Sequence, residues 1–182
     1  EKRLEFLRGD TSNEGDGIGQ FRKRNATATD NSVLGDIVHS SPVYVANPYR
    51  SYPDDLETPT YGSFRKANTE RMGMVYVGAN DGMLHGFSTA DGKEKVAYVP
   101  STAYKELAQL TKPSYNTATS VVGGTGNTQH RYFVDSTPTA GDAFWDGKWH
   151  TVLIGQLGAG GQGIFALDIT KPADDFSAAN ML

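Results

Sequence analysis

The chain has 182 residues, a formal net charge of −4, 37% hydrophobic residues, 21 glycines and no cysteine. The lack of cysteine excludes disulfides, Cys-ligated zinc, iron–sulfur clusters and cysteine nucleophiles, and the negative net charge argues against a general nucleic-acid-binding surface. Because the sequence contains no run of about 18 apolar residues, we expect no membrane-spanning helix.

The first 32 residues are polar and rich in glycine, and we predict a loop region for them. Their basic residues alternate with Glu and Asp, which is typical of a solvated surface. A short strand or helical turn is expected near the start of this region. Its apolar side chains would be Leu4, Phe6 and Leu7.

Two predicted strands and an insertion follow. The strands cover residues 33–39 and 43–46, and residues 47–71 are rich in Pro, Tyr and Asp, which predicts a surface loop. The aromatic residues of this loop are candidates for a protein contact, because aromatic side chains dominate such contacts. The alternative is that they pack the loop onto the sheets. These residues are Tyr49, Tyr52, Tyr61 and Phe64.

Two hairpins share one pattern: an apolar strand, a turn rich in glycine and a second apolar strand. The first covers 72–88, turns at Asn80-Asp81-Gly82 and is followed by a strand at 93–99. The second lies within 151–168, and its turn contains Gly158, Gly160, Gly161 and Gly163. These residue types supply the positive φ that tight hairpins require. Neither turn has the Gly-Lys-Ser/Thr ending of a phosphate loop.

The segment between these hairpins contains the best helix pattern of the chain. Apolar spacing predicts a helix over 101–110, with Ser101 or Thr102 as its cap. Residues 114–129 are predicted to be loop, and 130–135 a strand.

A further hairpin is predicted to turn at Asp146-Gly147, since Asp-Gly between apolar runs is a strong hairpin signal. The tail, 173–182, is expected to be extended and to be a candidate for the start of another blade. A Ser/Thr-Pro pair precedes each repeated unit, at Ser41-Pro42 and Thr137-Pro138.

This internal repeat predicts a β-propeller. The expected fold is all-β with a minor helix, an incomplete modified propeller of roughly two blades with loop insertions. We divide the chain into a polar loop region, 1–32, and the first blades, 33–182. The blade hairpins are placed near 72–99 and 139–172, with a helical and loop insertion at 101–130.

Four ordered strings resemble the C-terminal domain of the PilY/PilC type IV pilus proteins. They lie at 33–45, 75–87, 132–139 and 155–168, and the resemblance covers most of residues 6–182. It implies a modified β-propeller from a large secreted protein of Gram-negative bacteria, located at the cell surface, outer membrane or pilus tip. Members of this family support pilus assembly, counter retraction, and contribute to adhesion and twitching motility.

The resemblance also implies a calcium site, in a loop of alternating Asp residues that ends in Gly. The present sequence has no Asp-x-Asp-x-Asp-Gly string. We therefore expect no cofactor within this fragment, and place the family's calcium loop C-terminal to it.

Two motifs in the N-terminal region are candidate sites. Asp10, Ser12 and Glu14 resemble the start of an EF-hand loop, but position 12 of that loop is Phe21 instead of the bidentate Glu, which favours a polar turn. Arg8-Gly9-Asp10 is the integrin-recognition tripeptide. Its Asp carboxylate can complete a receptor's metal site, whereas the alternative is a surface turn whose side chains bond locally, because short motifs recur by chance.

The four histidines lie beside or within predicted strands, and no pair has the i,i+4 spacing of a helical metal site. We expect structural histidines that bond to Ser, Thr or backbone groups, with a zinc site built from strands as the alternative. The residues are His39, His85, His130 and His150.

Three functions are compatible with these patterns. The first is a non-enzymatic pilus biogenesis and adhesion module. Its partners would be the remainder of its own propeller, minor pilins or other pilus machinery, and a host-cell integrin. The second is a propeller quinoprotein dehydrogenase, because residues 88–93 resemble a blade's closing turn; the missing vicinal Cys pair argues against it. The third is a generic propeller scaffold, since a fold does not carry a function by itself.

Overall fold

The computed structural model of the chain describes residues 1–24, 33–115, 129–172 and 176–182. Within these ranges, seven strands form two separate antiparallel sheets. The strands are β1 (Val43–Val45), β2 (Met74–Gly78), β3 (Leu84–Ser88), β4 (Glu94–Tyr98), β5 (Thr139–Trp145), β6 (Lys148–Gln156) and β7 (Ile164–Asp168). The helices are α1 (Lys2–Leu7), α2 (Tyr61–Ala67) and α3 (Tyr104–Leu107).

The first sheet is a meander of four strands in the order β1-β2-β3-β4. Residue Tyr76 of β2 pairs with Val43 on one side and with Gly86 on the other. The period of two along a strand places Met74 and Tyr76 on the same face, and both are fully buried. The predicted hairpin at 72–88 and the strand at 93–99 are therefore confirmed.

The second sheet has the order β5-β6-β7, and its first hairpin turns at Asp146-Gly147, as predicted. Its last strand also pairs with the C-terminal tail, through an antiparallel bridge between Leu167 and Met181. The amide of Leu182 donates to the carbonyl of Ala166 at 3.0 Å. The described part of the tail thus adds to the second sheet, so the expectation that it starts another blade is wrong for these residues.

One apolar core joins the two sheets. It contains fully buried side chains from both: Met74, Tyr76 and Leu84 from the first, Leu153 and Leu167 from the second. Val134, on the segment that leads into the second sheet, fills the space between them. The sheets therefore pack face to face as consecutive propeller blades do, and the strands of the described residues do not close into a ring. This confirms the predicted fold class.

Three sequence-based assignments need correction. Residues 33–39 and 130–135 are not strands, because their polar backbone groups bond to the first hairpin's turn and to side chains instead of to a neighbouring strand. The amide of Asn80 donates to the carbonyl of Asp36, and the amide of Phe133 donates to the Asn80 side chain, each at 3.0 Å. The insertion at 47–71 is not entirely loop, because it contains α2, whose cap Thr60 accepts from the amide of Ser63.

The predicted helix at 101–110 is helical, but only in part α-helical. α3 is flanked by the 3₁₀ turns Ser101–Ala103 and Ala108–Thr111. The first turn follows Pro100 and has no side-chain cap, so the capping roles assigned to Ser101 and Thr102 are wrong. Residues 116–128 of this insertion lie outside the described ranges. Among the described helices, none is long and apolar enough to cross a membrane.

Candidate functional site

The Arg8-Gly9-Asp10 segment forms the C-terminal cap of α1. The amide of Gly9 donates to the carbonyl of Phe6 at 3.0 Å, and the amide of Asp10 donates to the carbonyl of Glu5 at 2.9 Å. This pair of bonds is a Schellman motif, in which the residue after the cap adopts a left-handed conformation. Gly9 has φ +103°, which a residue with a side chain rarely adopts. Helix capping alone therefore accounts for the glycine.

The two charged side chains of this turn reach solvent. Arg8 is exposed, and its guanidinium lies 3.7 Å from the carboxylate of Glu5, one helical turn earlier. Asp10 is exposed, and its carboxylate accepts from the amide of Ser12 at 2.6 Å. Hydrogen bonds from the hydroxyl and amide of Ser12 hold the pKa of Asp10 below its usual value. Asp10 is thus an accessible carboxylate that is ionised at neutral pH.

A buried ion pair lies beneath the turn. The guanidinium of Arg24 donates to the carboxylate of Glu14 at 2.6 Å, and each of these side chains is only 9% exposed. Its other nitrogens donate to the carbonyls of Phe6, at 2.6 Å, and Asp10, at 2.9 Å. The sequence predicted a solvated surface for the basic residues of this region, and that prediction is wrong for Arg24. Its partners are 10 to 18 residues away and follow no helical or strand period.

The candidate metal ligands Asp10, Ser12 and Glu14 bond to other protein groups. Glu14 is occupied by Arg24, and the Asp10 carboxylate bonds to the backbone of Ser12. Over the parts of the chain that the structure describes, no group of three or more His, Cys, Asp or Glu residues could hold a metal ion.

An apolar groove of about 960 Å³ runs beside the turn. Leu4, Leu7, Arg8 and Gly9 line one side of it. Residues of β3, β4, α3 and the segment at 33–34 also line it. The sheet residues are His85, Phe87, Glu94 and Ala97.

His85 lies in the floor of this groove between two carboxylates. Its Nε2 is 3.1 Å from Asp81, its Nδ1 bonds to Glu94, and its side chain is 6% exposed. Burial alone would lower the pKa of His85, but hydrogen bonds and charge interactions with Asp81 and Glu94 outweigh burial and raise it. The imidazole therefore ties the hairpin turn to the edge strand β4.

The segments that precede the two sheets are joined by two reciprocal His–Asp pairs. Nδ1 of His39 lies 2.5 Å from Asp135, while Nε2 of His130 lies 2.9 Å from Asp36. The aromatic ring of Tyr132 lies between the two imidazoles, with centroids 5.4 and 5.2 Å away. The Asp135 carboxylate is almost completely buried.

Each histidine of the chain thus has a carboxylate partner, the fourth being His150 with Asp168 at 2.6 Å. The expectation of Ser, Thr or backbone partners is wrong. Burial alone would raise the pKa of Asp36, but hydrogen bonds from Asn80 and His130 lower it. These pairs hold segments of the fold together.

The turns of the two repeated hairpins have structural roles. Asn80 and Asp81 bond to the segment at 35–36, since the Asn80 side chain donates to Asp36 and the amide of Gly35 donates to Asp81. In the second hairpin, a Cβ on Gly160 would lie 2.0 Å from the carbonyl oxygen of Phe133, so no larger residue fits there. Positive φ occurs at Gly82, Gly158 and Gly161, and the carbonyl of Gly163 accepts from the amide of Leu157.

The four aromatic residues of the 47–71 insertion divide into two groups. Tyr61 and Phe64 are buried and pack with Trp149, so they are not available for a protein contact, and the packing alternative holds for them. Tyr52 stacks on Trp149 with ring centroids 5.2 Å apart and is partly exposed. Tyr49 is 71% exposed, and the guanidinium of Arg50 covers its ring. Of the four, Tyr49 and Tyr52 are exposed to solvent.

Comparison with known proteins places these features in one family. A family model described as the PilY1 beta-propeller domain matches residues 34–182. The type IV pilus biogenesis factor PilY1 of Pseudomonas aeruginosa strain UCBPP-PA14 is 46% identical over 182 residues, which covers 95% of this chain and 13% of that protein. A PilY1 homolog of Xylella fastidiosa is 40% identical over 178 residues, again covering 95% of this chain and 13% of its own length.

A solved structure is also similar to the chain. The crystal structure of the Pseudomonas aeruginosa PilY1 C-terminal domain is 40% identical, with a TM-score of 0.49, and the match covers 72% of this chain and 23% of that one. The chain spans about an eighth of the length of the PilY1 proteins of Pseudomonas aeruginosa and Xylella fastidiosa that it matches.

Proposed function

The chain belongs to the PilY1 β-propeller family, and from this membership we propose that it is a non-enzymatic propeller module of a type IV pilus biogenesis factor at the bacterial cell surface or pilus tip. In this role it supports pilus assembly, counters retraction and contributes to twitching motility. The observation that carries this proposal is the match to the family model over residues 34–182 together with two packed, unclosed sheets.

The first partner of the module is the remainder of its own propeller. The outer face of the second sheet exposes Ile154 and Ile164, the latter to 75%. These side chains point away from the shared core, toward the position that a following blade occupies in a ring. A propeller gives the rigid support, and contacts with minor pilins or other pilus machinery belong to its loops. Calcium binding belongs to a loop C-terminal to this chain.

Adhesion is the second part of the proposal, and the exposed turn of Arg8, Gly9 and Asp10 supports it. The turn offers an ionised carboxylate and a guanidinium on a capped helix end. A receptor that holds a divalent cation, such as a host-cell integrin, would take the Asp10 carboxylate as a metal ligand.

Two variants of the full-length protein separate these roles in a piliated strain. Leu153→Asp places a charge in the core between the sheets, so we expect loss of surface pili and twitching. Asp10→Ala leaves the sheets intact, so we expect normal piliation and reduced binding to a soluble Arg-Gly-Asp-binding integrin ectodomain. Normal piliation in the Leu153→Asp strain would contradict the biogenesis role of this module, and unchanged integrin binding of Asp10→Ala would contradict the adhesive one.

The quinoprotein alternative has a direct test. A dehydrogenase of that class would carry a bound quinone, visible by absorbance, and would oxidise alcohols with an artificial dye. We expect neither signal from the purified full-length protein, and either would overturn the non-enzymatic proposal.

A further inference from the structure

We propose that Arg24 is the positioning residue of the adhesive turn, holding Arg8, Gly9 and Asp10 in one preformed conformation for a receptor that carries a divalent cation. This inference rests on the adhesive part of the proposed function. Arg24 does not face the receptor itself, because its side chain is 9% exposed and lies beneath the turn.

The guanidinium of Arg24 contacts both ends of the turn. It donates to the carbonyl of Phe6, which also accepts from the amide of Gly9, and to the carbonyl of Asp10. The first contact fixes the last turn of α1, and the second fixes the peptide plane that follows Asp10. Between these two points the chain has only the Arg8-Gly9-Asp10 segment and the end of α1, so its path is determined from both sides.

Arg24 is itself held in a single orientation. Its Nε and its backbone amide both donate to the carboxylate of Glu14, at 2.6 and 3.0 Å. Its guanidinium lies 3.8 Å from the centroid of the Phe6 ring, and Phe21 packs edge-on against that same ring. A planar fork with several donors and a stacked face can satisfy all these partners at once, whereas a lysine ammonium cannot.

Rigid presentation matters because, among the described residues, the side chains of the turn have only local partners. The Asp10 carboxylate accepts from the amide of Ser12, and the Arg8 guanidinium lies 3.7 Å from the carboxylate of Glu5. Without such support, the turn would lose conformational entropy when a receptor binds both side chains, and this loss would lower the affinity. Loss of Arg24 should therefore weaken receptor binding while leaving Arg8 and Asp10 present and exposed.

Arg22 provides a matched control two residues earlier. Its Nε donates to the carbonyl of Leu110 at 2.7 Å, and its guanidinium lies 5.0 Å from the ring centroid of Tyr115. Both of these side-chain contacts lie in the segment at 110–115, and none of the hydrogen bonds described for Arg22 is to Arg8, Gly9 or Asp10. Arg22→Gln thus removes the same charge from the same region without releasing Arg8, Gly9 or Asp10.

The test compares full-length protein carrying Arg24→Gln, Arg22→Gln, Asp10→Ala, or Arg24→Gln with Asp10→Ala. Binding to an Arg-Gly-Asp-binding integrin ectodomain is measured in Mg²⁺ buffer and again with EDTA. We expect Arg24→Gln to weaken Mg²⁺-dependent binding about tenfold and Arg22→Gln to leave it unchanged. The double variant should bind no more weakly than Asp10→Ala alone, because Arg24 acts only through the turn. If the double variant loses more integrin affinity than Asp10→Ala alone, Arg24 does not act through the turn.

Amide hydrogen exchange at Gly9 and Asp10 supplies a readout that needs no receptor. Arg24→Gln should accelerate exchange of these two amides, whereas Arg22→Gln should not. If Asp10→Ala binds the integrin as well as the unmodified protein does, the proposed adhesive function is wrong. The positioning role of Arg24 is then tested only by the exchange rates of the Gly9 and Asp10 amides. Two results for Arg24→Gln would overturn the inference. One is unchanged exchange of the Gly9 and Asp10 amides, and the other is unchanged integrin affinity in an assay where Asp10→Ala no longer binds.

Discussion

The N-terminal region, residues 1–24, and the two-sheet region are stabilised in opposite ways. The two-sheet region has a continuous apolar core to which both sheets contribute. The N-terminal region contains one buried apolar residue, Phe6, and polar contacts hold much of it, among them the ion pair of Arg24 with Glu14 and the bond from Arg22 to the carbonyl of Leu110. Stabilisation by apolar burial is the sum of many weak contacts. Stabilisation by a buried ion pair comes from a few hydrogen bonds, and it is lost when any of the buried polar groups lacks a partner.

The largest effect should come from the shared core. Leu153 is fully buried between the sheets, so Leu153→Ala should lower the free energy of unfolding by about 3 kcal/mol. Leu4, exposed on α1, is the control, and Leu4→Ala should cost about 0.5 kcal/mol or less. Urea denaturation of the purified protein measures both. Equal losses would show that the contrast between the two regions is wrong.

A glycine turn tests close packing in the two-sheet region. Gly160→Ala places a Cβ 2.0 Å from a backbone oxygen, so the turn or the segment at Phe133 must shift. We expect a loss of about 2 kcal/mol. A Cβ added at Gly141 would meet no described neighbour within 4 Å, so Gly141→Ala should be nearly neutral. Thermal unfolding of the two variants side by side gives the comparison, and a neutral Gly160→Ala would refute the close approach.

Loss of the ion pair between Arg24 and Glu14 should destabilise the N-terminal region alone. Glu14→Gln keeps the shape of the side chain but removes the charge that faces Arg24, so we expect residues 1–24 to lose about 2 kcal/mol of local stability. Hydrogen exchange of the amides in this region should accelerate, while amides in β2 and β6 keep their rates. Asp16, an exposed partner of Lys23, provides the control variant Asp16→Asn. Faster exchange throughout the sheets would mean that the two regions unfold together.

The reciprocal His–Asp pairs should have a smaller effect. Asp135→Asn retains the hydrogen-bonding shape but loses the charge that faces His39, and we expect a loss of about 1 kcal/mol. His130→Gln, at the more exposed pair, should cost less, because solvent screens its partner Asp36. Chemical denaturation at pH 6 distinguishes the two, and a larger loss for His130→Gln would reverse this ranking.

The smallest effect is a pH dependence from His85. A histidine whose pKa is raised in the folded state stabilises that state fully below the pKa of the unfolded chain, about 6.5. This contribution is lost as the pH rises through the higher folded value. Stability should therefore fall above about pH 6.5, and His85→Gln should reduce that slope. The lowered pKa values of Asp36 and Asp168 act only near and below about pH 4, outside this window. An unchanged slope in His85→Gln would contradict the assignment.

Local chemistry made the hairpins predictable. Asp146-Gly147 and Asn80-Asp81-Gly82 turn the chain where the sequence analysis expected, because turn residues and period-two apolar runs act over a few residues. The segments at 33–39 and 130–135 also contain apolar runs, yet they are not strands. Their backbone groups found partners on the hairpin turn instead of on a strand edge.

The sequence by itself determined the fold class, the hairpin positions and the family, because these depend on local patterns and on strings that can be recognised in order. Only the tertiary structure decided the partners of the charged side chains. His39 and Asp135 are 96 residues apart in sequence, and Arg24 reaches Asp10 across 14 residues. Such pairs follow no period, because a hydrogen bond requires proximity in space and the packed core of the two sheets sets that proximity.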